Sequence, residues 1–298
     1  AINLVFSNFK NIVISSIEHL AVSSSSKSDH IIPVNKEGIV DLNFLEKYLK
    51  KNLKNNQLNL VSIMWVNNET GVIQPIEEVI KIAKKYKCLV HSDAAQALGK
   101  IKINFEELGI DFLTLSGHKI GAPTGIGALI YNDKINLNPQ ILGGGQEKGL
   151  RAGTENILGI NGFGEAAKTI DNSHEVNCTQ VKFLRDYFLK KIKILSPETI
   201  IFGEKANRVA NTILMALPNI PGELALMKLD LESFSVSSGS ACSSGKISKS
   251  HVVSAMGYDK LASNSVRFSF PPNDCILKSQ NLITTRELDK LAQCWSKL

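Results

Sequence analysis

The chain has 298 residues, of which 43% are hydrophobic and 21% are charged. Its formal net charge of +6 is carried by scattered lysines. There is no block of about five or six like charges and no interleaved aromatic run, so the pattern argues against nucleic-acid binding. No apolar run reaches the roughly 18 residues that a membrane-spanning helix needs. We therefore expect a soluble globular protein, and a length of about 150 residues per domain predicts two domains.

The cysteine pattern argues against both a disulfide framework and a zinc site. The five cysteines are odd in number, widely spaced and form no C-x-x-C pair, which favours a reducing compartment. We expect the cytoplasm, and a mitochondrial location stays open. The first residues lack Met, a basic region and a cleavage pattern, so they do not resemble a signal peptide. They are typical of the middle of a helix.

The first half of the chain alternates short β-branched runs with amphipathic stretches. This rhythm is typical of a mainly parallel sheet with helices on both faces. The predicted strands lie at 11–15, 58–66, 88–92 and 112–116, and the predicted helices at 42–51 and 76–86.

The second half has a different composition. Glycine-rich segments at 121–127 and 143–153 precede a long helical stretch at 156–194, which we expect to be broken near 171–174. Shorter strands are predicted further on, at 208–216, 234–237 and 265–270, before a closing helix from residue 285. We place a domain boundary near residue 175. Residues 1–175 would form a larger α/β domain and residues 176–298 a smaller α+β domain.

Polar side chains follow two neighbouring predicted strands. The first strand delivers Asp93, and the next delivers Ser116, His118 and Lys119. Because the carboxyl ends of parallel strands form the ligand crevice, these groups should converge there. A lysine and a carboxylate so placed can serve pyridoxal phosphate, the lysine by a covalent bond and the carboxylate by keeping the pyridine nitrogen protonated. Taken alone, the pair is also explained by a structural ion pair on an exposed loop.

Neighbouring residues strengthen the cofactor interpretation. Gln96 follows Asp93 closely enough to hydrogen-bond the oxygen on the ring, and Ser116 and His118 could bind a phosphate dianion. The segment GGGQEKGLRAGT at 143–154 places backbone amides, Arg151 and Thr154 before a predicted helix, where anions bind readily. A plain surface loop is the alternative explanation of this segment.

Seven segments stand in the order and register of one known family. They resemble the cysteine desulfurases of the iron-sulfur cluster assembly type, which are class V, fold-type I pyridoxal phosphate enzymes. The resemblance implies a homodimer that takes sulfur from L-cysteine, releases L-alanine and holds the sulfur as a cysteine persulfide. An iron-sulfur scaffold protein, or other acceptors such as those of tRNA thiolation, would receive the sulfur. The segments are SSIEHLAV, VNNETGVIQPI, HSDAAQALGK, TLSGHKIGAPTGIGAL, GGGQEKGLRAGTEN, SSGSACSSG and SVRFSF.

The resemblance implies a role for each residue around the cofactor ring. Lys119 would hold the cofactor covalently and Asp93 would pair with its pyridine nitrogen. Gln96 and Asn68 would bind the ring oxygen. His19 would stack on the ring face and assist proton transfer, whereas a lone histidine after a strand is otherwise usually structural.

Further residues would bind the phosphate and the substrate. Ser116 and His118 would hold the phosphate, joined by Thr154 from the other subunit of the homodimer. Arg267 would bind the substrate carboxylate through its planar guanidinium, with Asn68 nearby. A surface ion pair is the alternative explanation of Arg267.

Cys242 is the candidate nucleophile. It lies in a run of small residues that has little to bury, so it should be accessible and reactive rather than packed. Its thiolate would attack the substrate sulfur and carry the persulfide to an acceptor, and it is a candidate transient iron-sulfur ligand with a scaffold partner. We assign the other four cysteines to packing or the surface.

The chain departs from the family pattern in two places. The family has a long N-terminal portion before the point that matches Ala1, including a turn that supplies part of the phosphate site, so we expect weak cofactor binding and slow turnover. After SVRFSF, the pair Pro271 and Pro272 and a short insertion replace the usual Gly-Arg. Alternative functions are an impaired fragment that acts as a binding or dimerisation partner, a selenocysteine lyase, or a class V aminotransferase, although the last has no use for a mobile thiol.

Overall fold

The computed structural model describes residues 1–26, 30–52, 59–239, 249–271 and 283–298, with backbone only for 171–178. The contacts divide the chain into two units. The N-terminal unit consists of Ala1–Pro33, Val40–Asn67 and Gln74–Asn172. The C-terminal unit consists of Val34–Ile39, Asn68–Ile73 and Ser173–Leu298. It thus includes two short segments that the sequence analysis placed in the larger domain.

The described part of the N-terminal unit contains a six-stranded sheet in the order β2-β1-β3-β4-β5-β6. Neighbours among the first five strands run parallel, and β6 pairs antiparallel with β5. The prediction of a mainly parallel sheet is confirmed. The strands are β1 (Asn11–Ser15), β2 (His30–Ile32), β3 (Asn59–Ser62), β4 (Leu89–Asp93), β5 (Phe112–Ser116) and β6 (Gly127–Tyr131).

Amphipathic helices accompany this sheet. In α4 (Ile76–Lys85) the residues Ile76, Val79, Ile80 and Ala83 are buried, a spacing that places one apolar stripe along the helix. Acidic residues in its first turn and lysines in its last turn complement the helix dipole. The helices are α1 (Ile2–Phe6), α2 (Leu20–Ser26), α3 (Leu42–Asn52), α4 (Ile76–Lys85) and α5 (Phe105–Leu108), with 3-10 turns at Gly117–Ile120 and Gln146–Gly149.

One long helix, α6 (Ile157–Leu195), follows the glycine-rich segments. The predicted break near 171–174 is wrong, because the helix runs through these residues. They include neither proline nor glycine, so the backbone can continue its hydrogen bonding without the cost that those residues impose. The boundary between the two units falls within α6, at residues 172 and 173.

The C-terminal unit contains an antiparallel sheet, which has four strands among the described residues, in the order β7-β8-β10-β9. Its core includes Phe188, Phe268 and Trp295, and the rings of Phe268 and Trp295 meet edge to face at 5.5 Å. This is the smaller α+β arrangement that was predicted. The elements are β7 (Ile200–Ile201), β8 (Thr212–Ala216), α7 (Gly222–Leu231), β9 (Ser237–Ser238), α8 (His251–Ala255), β10 (Ser265–Ser269) and α9 (Thr285–Ser296).

Within the described ranges, no helix combines the length and the apolar character required to cross a bilayer.

Candidate active site

Asp93 ends β4 as a buried carboxyl group. Asp93 is only 8% exposed, and its Oδ1 accepts a hydrogen bond from the Ala95 N–H at 2.9 Å. Burial raises the pKa of Asp93, while the backbone hydrogen bond and the charges of His19 and Lys119 act in the opposite direction. The ionised carboxylate therefore benefits from cationic groups at this edge of the sheet.

The next strand delivers a hydroxyl, an imidazole and an amine. Ser116 ends β5, and the 3-10 turn that follows carries His118 and Lys119. Ser116 Oγ and His118 Nδ1 are hydrogen-bonded at 2.9 Å. Both His118 and Lys119 are exposed, and Gly121 ends the turn at a φ of +86°, a conformation that favours glycine. The structure thus groups Asp93, Ser116, His118 and Lys119 at adjacent strand ends, as predicted.

Gln96 lies in the turn after β4, and its Oε1 accepts a hydrogen bond from Lys100 Nζ. The sequence analysis did not single out Lys100. Its spacing of four residues from Gln96 is the only signal that could have indicated the contact, and lysines are too common on turns for that signal to be specific.

His19 is half-buried at the start of α2. Its Nδ1 accepts a hydrogen bond from the Ala21 N–H at 3.1 Å, which restrains the ring. The preceding residue, Glu18, is 1% exposed. Its Oε1 accepts hydrogen bonds from Ser15 Oγ at 2.5 Å and from the Met64 N–H at 2.8 Å.

Glu18 is a buried acid that the sequence analysis missed. Burial raises its pKa to about 8, against the two hydrogen bonds, and the charge of Asp93 adds to the rise. Its carboxyl is therefore protonated at neutral pH, which avoids placing a second negative charge near Asp93. The signal in the sequence was an acidic residue within an otherwise apolar segment before His19.

The glycine-rich loop lies open to solvent. Arg151 and Thr154 are exposed, and Thr154 precedes α6 by three residues. The loop is tied back by a hydrogen bond from the Ala152 N–H to the Ile141 carbonyl at 3.0 Å. The predicted position before a helix is therefore found, whereas the phosphate-binding role of Thr154 stays a prediction.

Asn68 and Arg267 belong to the C-terminal unit, where Arg267 lies on β10. Arg267 Nη1 donates a hydrogen bond to the Asn68 backbone carbonyl at 2.9 Å. Among the described residues, Asn68 Oδ1 and Arg267 Nε are buried without a hydrogen-bond partner. Such groups are costly unless a ligand satisfies them, and a carboxylate is a suitable acceptor for the guanidinium nitrogen.

Glu69 is a second buried acid that the sequence analysis missed. It is 1% exposed, and its Oε2 accepts a hydrogen bond from Ser250 Oγ at 2.6 Å. Burial raises its pKa, while the Ser250 hydroxyl and the charges of His251 and Arg267 act in the opposite direction. A Cβ on Gly239 would lie 2.5 Å from Glu69 Oε2, so a larger residue there would have to displace this carboxylate. An acid between asparagines and a glycine turn was the available signal.

Cys242 lies outside the described residues, as does Cys275. Cys88 and Cys294 are free thiols. Burial raises the pKa of Cys88 to about 11, which makes it a poor thiolate nucleophile. The assignment of Cys242 as the nucleophile stays a prediction.

The groups of the N-terminal unit fit pyridoxal 5'-phosphate. A buried carboxylate at Asp93 suits a protonated pyridine nitrogen, the amine of Lys119 suits the aldehyde carbon, and the Ser116 hydroxyl with the His118 imidazole suits a phosphate. In the part of the chain that the structure describes, no group of three or more His, Cys, Asp or Glu side chains could hold a metal ion.

Known proteins share both the sequence and the fold. The class-V aminotransferase family matches residues 1–276. The cysteine desulfurase IscS of Dictyoglomus turgidum is 40% identical over 268 residues, which cover 87% of this chain and 67% of that protein. The cysteine desulfurase NifS of Azotobacter vinelandii is 38% identical, with 87% of this chain and 65% of that protein covered. The NifS-like protein from Rickettsia africae ESF-5 superimposes with a TM-score of 0.86 at 37% identity, covering 99% of this chain and 78% of that one.

These similarities confirm the resemblance found in the sequence and the fold-type I architecture that it implied. The chain spans about two-thirds of the length of the curated relatives that it matches. The family match covers more than half of the chain, and the identity to the desulfurases extends over both units. The chain therefore belongs to the class-V aminotransferase family and, within it, to the cysteine desulfurases.

Proposed function

We propose that the chain removes sulfur from L-cysteine in a pyridoxal phosphate-dependent reaction that gives L-alanine and a persulfide on Cys242. Enzymes of this family depend on pyridoxal phosphate. When bound, the cofactor supplies an electron sink for carbanion chemistry at the substrate Cα. The observation that carries the proposal is the buried carboxyl group of Asp93, which interacts electrostatically with Lys119 and His19.

Each group of the N-terminal unit has a role in this proposal. Asp93 keeps the pyridine nitrogen protonated, because a buried carboxylate is stabilised by an adjacent positive charge. Lys119 holds the cofactor and then moves a proton at the substrate Cα. The restrained His19 ring would contact the cofactor and assist proton transfer. Gln96 binds the ring oxygen through its side-chain amide.

The phosphate is held by exposed donors. The Ser116 hydroxyl and His118 imidazole already form one hydrogen-bonded pair, and Thr154 joins them from the second subunit. Since each hydrogen bond to a charged group contributes about 1.5–3 kcal/mol, this set can retain a phosphate dianion.

Other residues bind the substrate and act on its sulfur. Arg267 binds the substrate carboxylate, for which its buried Nε supplies a donor, and Asn68 lies beside it. The Cys242 thiolate attacks the substrate sulfur, so that an S–S bond forms and the substrate Cβ–S bond breaks. The electron pair of that bond stays on the substrate carbon skeleton, which is protonated and leaves as L-alanine.

The partners of this activity are a second copy of the chain and a sulfur acceptor, such as an iron-sulfur scaffold protein. Large apolar side chains flank the glycine-rich loop and support the homodimer, because an exposed apolar patch of this kind marks an interaction site. Free thiols at Cys88 and Cys294 are consistent with a reducing, cytoplasmic location. The exposed apolar residues are Ile141, Leu142, Ile157 and Leu158.

The test compares Lys119→Ala with the exposed Lys102→Ala as a matched control. Purified protein is mixed with pyridoxal phosphate, and the absorbance band of the lysine-bound cofactor and the release of alanine from L-cysteine are measured. We expect Lys119→Ala to abolish both and Lys102→Ala to preserve both. Retention of the band in Lys119→Ala would refute the assignment of Lys119.

A second variant separates sulfur transfer from cofactor binding. Cys242→Ser should keep the absorbance band and still bind cysteine, yet form no persulfide and release no sulfide. Persulfide detected by mass spectrometry on another cysteine of this variant would overturn the assignment of the nucleophile. Transfer of the amino group of L-cysteine to an added keto acid, with release of 3-mercaptopyruvate in place of alanine, would indicate an aminotransferase instead.

A further inference from the structure

A cleft in the C-terminal unit lies between one side of α6 and the segment that precedes β8. Its volume is about 550 Å³, which is within the usual range for small-molecule sites. Lys182, Arg185, Lys190 and Lys193 line one wall at helical spacing, and Arg208 lines the other. None of these residues belongs to the candidate active site.

The cleft lining is positively charged overall, because it contains five basic and two acidic side chains. Both acids are already engaged. Asp186 Oδ1 lies 2.7 Å from Arg185 Nη2, and Glu204 pairs with Lys193. Among the described residues, Lys182, Lys190 and Arg208 form no ion pair, so they remain available to an anion.

Arg208 is the lining residue best placed to bind an anion. Its Nη1 is buried and has no hydrogen-bond partner in the described part of the chain. Burial and the charge of Arg185 lower the pKa of Arg208 to about 10, against the opposing charges of Glu204, Asp186 and Glu37. A desolvated guanidinium beside another one is electrostatically costly, and an oxyanion in the cleft would offset that cost.

Hydrogen bonds also connect the two walls of the cleft. Val72 and Arg208 form a β-bridge, and the Val209 N–H donates to the Gly71 carbonyl at 2.9 Å. Arg185 is 8% exposed and crosses to the opposite wall, where its Nη1 donates to the Val209 carbonyl at 3.1 Å. The Arg185 side chain and the Arg208 backbone are therefore held in place before any ligand binds, which lowers the entropic cost of binding.

We propose that this cleft binds a small molecule that carries a phosphate ester or diphosphate group. The planar guanidinium of Arg208 matches phosphate oxygens, and Lys182 and Lys190 add flexible point charges at the rim. Three available cations suit a group with two or three negative charges better than a single carboxylate. The concave shape favours a small ligand over an extended polyanion.

The experiment is calorimetric titration of the full chain with inorganic pyrophosphate at about 0.15 M ionic strength, where weak surface attraction is screened. The chain is first loaded with pyridoxal phosphate and the unbound cofactor is removed, so that the phosphate-binding groups of the cofactor site are occupied and no free phosphate ester competes for the cleft. We expect one pyrophosphate per chain. Arg208→Gln should weaken binding about 10-fold to 100-fold, the range for loss of a hydrogen bond to a charged group.

Two further variants keep the test independent of folding. Lys182→Gln with Lys190→Gln changes only exposed side chains and should weaken binding by about 3-fold to 20-fold. Lys260→Gln, an exposed lysine of the same unit, should leave binding unchanged, as should Ser116→Ala.

Several results would overturn the proposal. One is that the chain does not bind pyrophosphate. Another is that it binds pyrophosphate and neither Arg208→Gln nor the double lysine variant weakens the binding. Loss of binding in Ser116→Ala would place the anion at the cofactor site instead. Tighter binding of an acidic peptide or an oligonucleotide than of pyrophosphate would show that the ligand is a macromolecule.

Discussion

Asp93 of the N-terminal unit and Glu69 of the C-terminal unit are buried acids with different surroundings. Asp93 ends a parallel strand and accepts a backbone hydrogen bond at 2.9 Å, with an exposed Lys119 as a source of opposite charge. Glu69 instead accepts a hydroxyl hydrogen bond from Ser250 at 2.6 Å and is influenced by His251 and Arg267 within its own unit. Asp93 is thus prepared for a ligand, whereas Glu69 is satisfied by the protein.

The same contrast extends to the apolar surface. In the N-terminal unit, Leu142 and Leu158 are 79% and 84% exposed on either side of the glycine-rich loop. In the C-terminal unit, Leu231 is 86% exposed at the end of α7. We propose that only the first pair is covered by a second copy of the chain. On this proposal, exposure alone does not identify an interface, and the position of an apolar surface beside site residues matters.

The largest expected effect comes from Leu158→Asp. A charge placed in an apolar interface is desolvated without a partner, which costs several kcal/mol. We expect the dimer dissociation constant to rise at least about 100-fold, equivalent to about 2.7 kcal/mol, as measured by sedimentation velocity. Leu231→Asp is the matched control and should leave the dimer intact. Equal dissociation in both variants would remove the distinction between the two surfaces.

Asp93→Asn tests whether this carboxylate serves a ligand. The amide retains the shape but loses the charge that holds a proton on the pyridine nitrogen. Loss of one charge-assisted hydrogen bond should slow desulfuration about 10-fold to 150-fold, with little change in the urea midpoint. Asp133→Asn, an exposed position, serves as the control. A rate within twofold of the parent enzyme would mean that Asp93 is structural.

Glu69→Ala should act chiefly on stability. Its removal leaves the Ser250 hydroxyl and the nearby guanidinium of Arg267 without their acidic neighbour, which should cost about 1–3 kcal/mol in the free energy of unfolding. Urea denaturation measures this loss, and the absorbance of the bound cofactor should be retained. A variant as stable as the parent but unable to retain the cofactor would reverse the contrast with Asp93.

Glu18→Gln should alter the pH dependence of stability. Because the pKa of Glu18 is raised to about 8 in the folded chain, against about 4.3 in the unfolded chain, unfolding releases a proton between these values. Stability therefore falls as pH rises through this window, by at most about 1.4 kcal/mol per pH unit. Glutamine cannot ionise and should remove this slope.

His91 sets the pH range in which that slope is best measured. Burial lowers its pKa to about 3, whereas the unfolded value is about 6.5. Its contribution to stability is thus present above pH ~6.5 and is lost as pH falls below that value. Since it opposes the Glu18 slope below pH ~6.5 in both proteins, the urea midpoint of the parent should fall between about pH 6.5 and 8 while that of Glu18→Gln stays level. Parallel midpoints over that range would show that Glu18 is not protonated in the fold.

The strands with strong β-branched runs were predictable, and the weaker ones were not. The predicted strands at 11–15 and 112–116 coincide with β1 and β5. Short strands such as β2 and β7, with three and two residues, are too brief to show a pattern. β6 ends in the apolar run at 128–131, but it directly follows the glycine-rich segment at 121–127, and the sequence analysis did not assign it as a strand.

Local sequence by itself determined the elements that carry the candidate chemistry and, through seven ordered segments, the family. Strand ends placed Asp93, Ser116 and Lys119 together because consecutive parallel strands finish at the same edge. Only the tertiary structure decided which acids are buried and which groups form hydrogen bonds with them. The hydrogen bonds of Glu18 to Met64 and of Glu69 to Ser250 join residues 46 and 181 positions apart. Burial and such distant contacts set the pKa of a carboxyl group, and no local pattern encodes them.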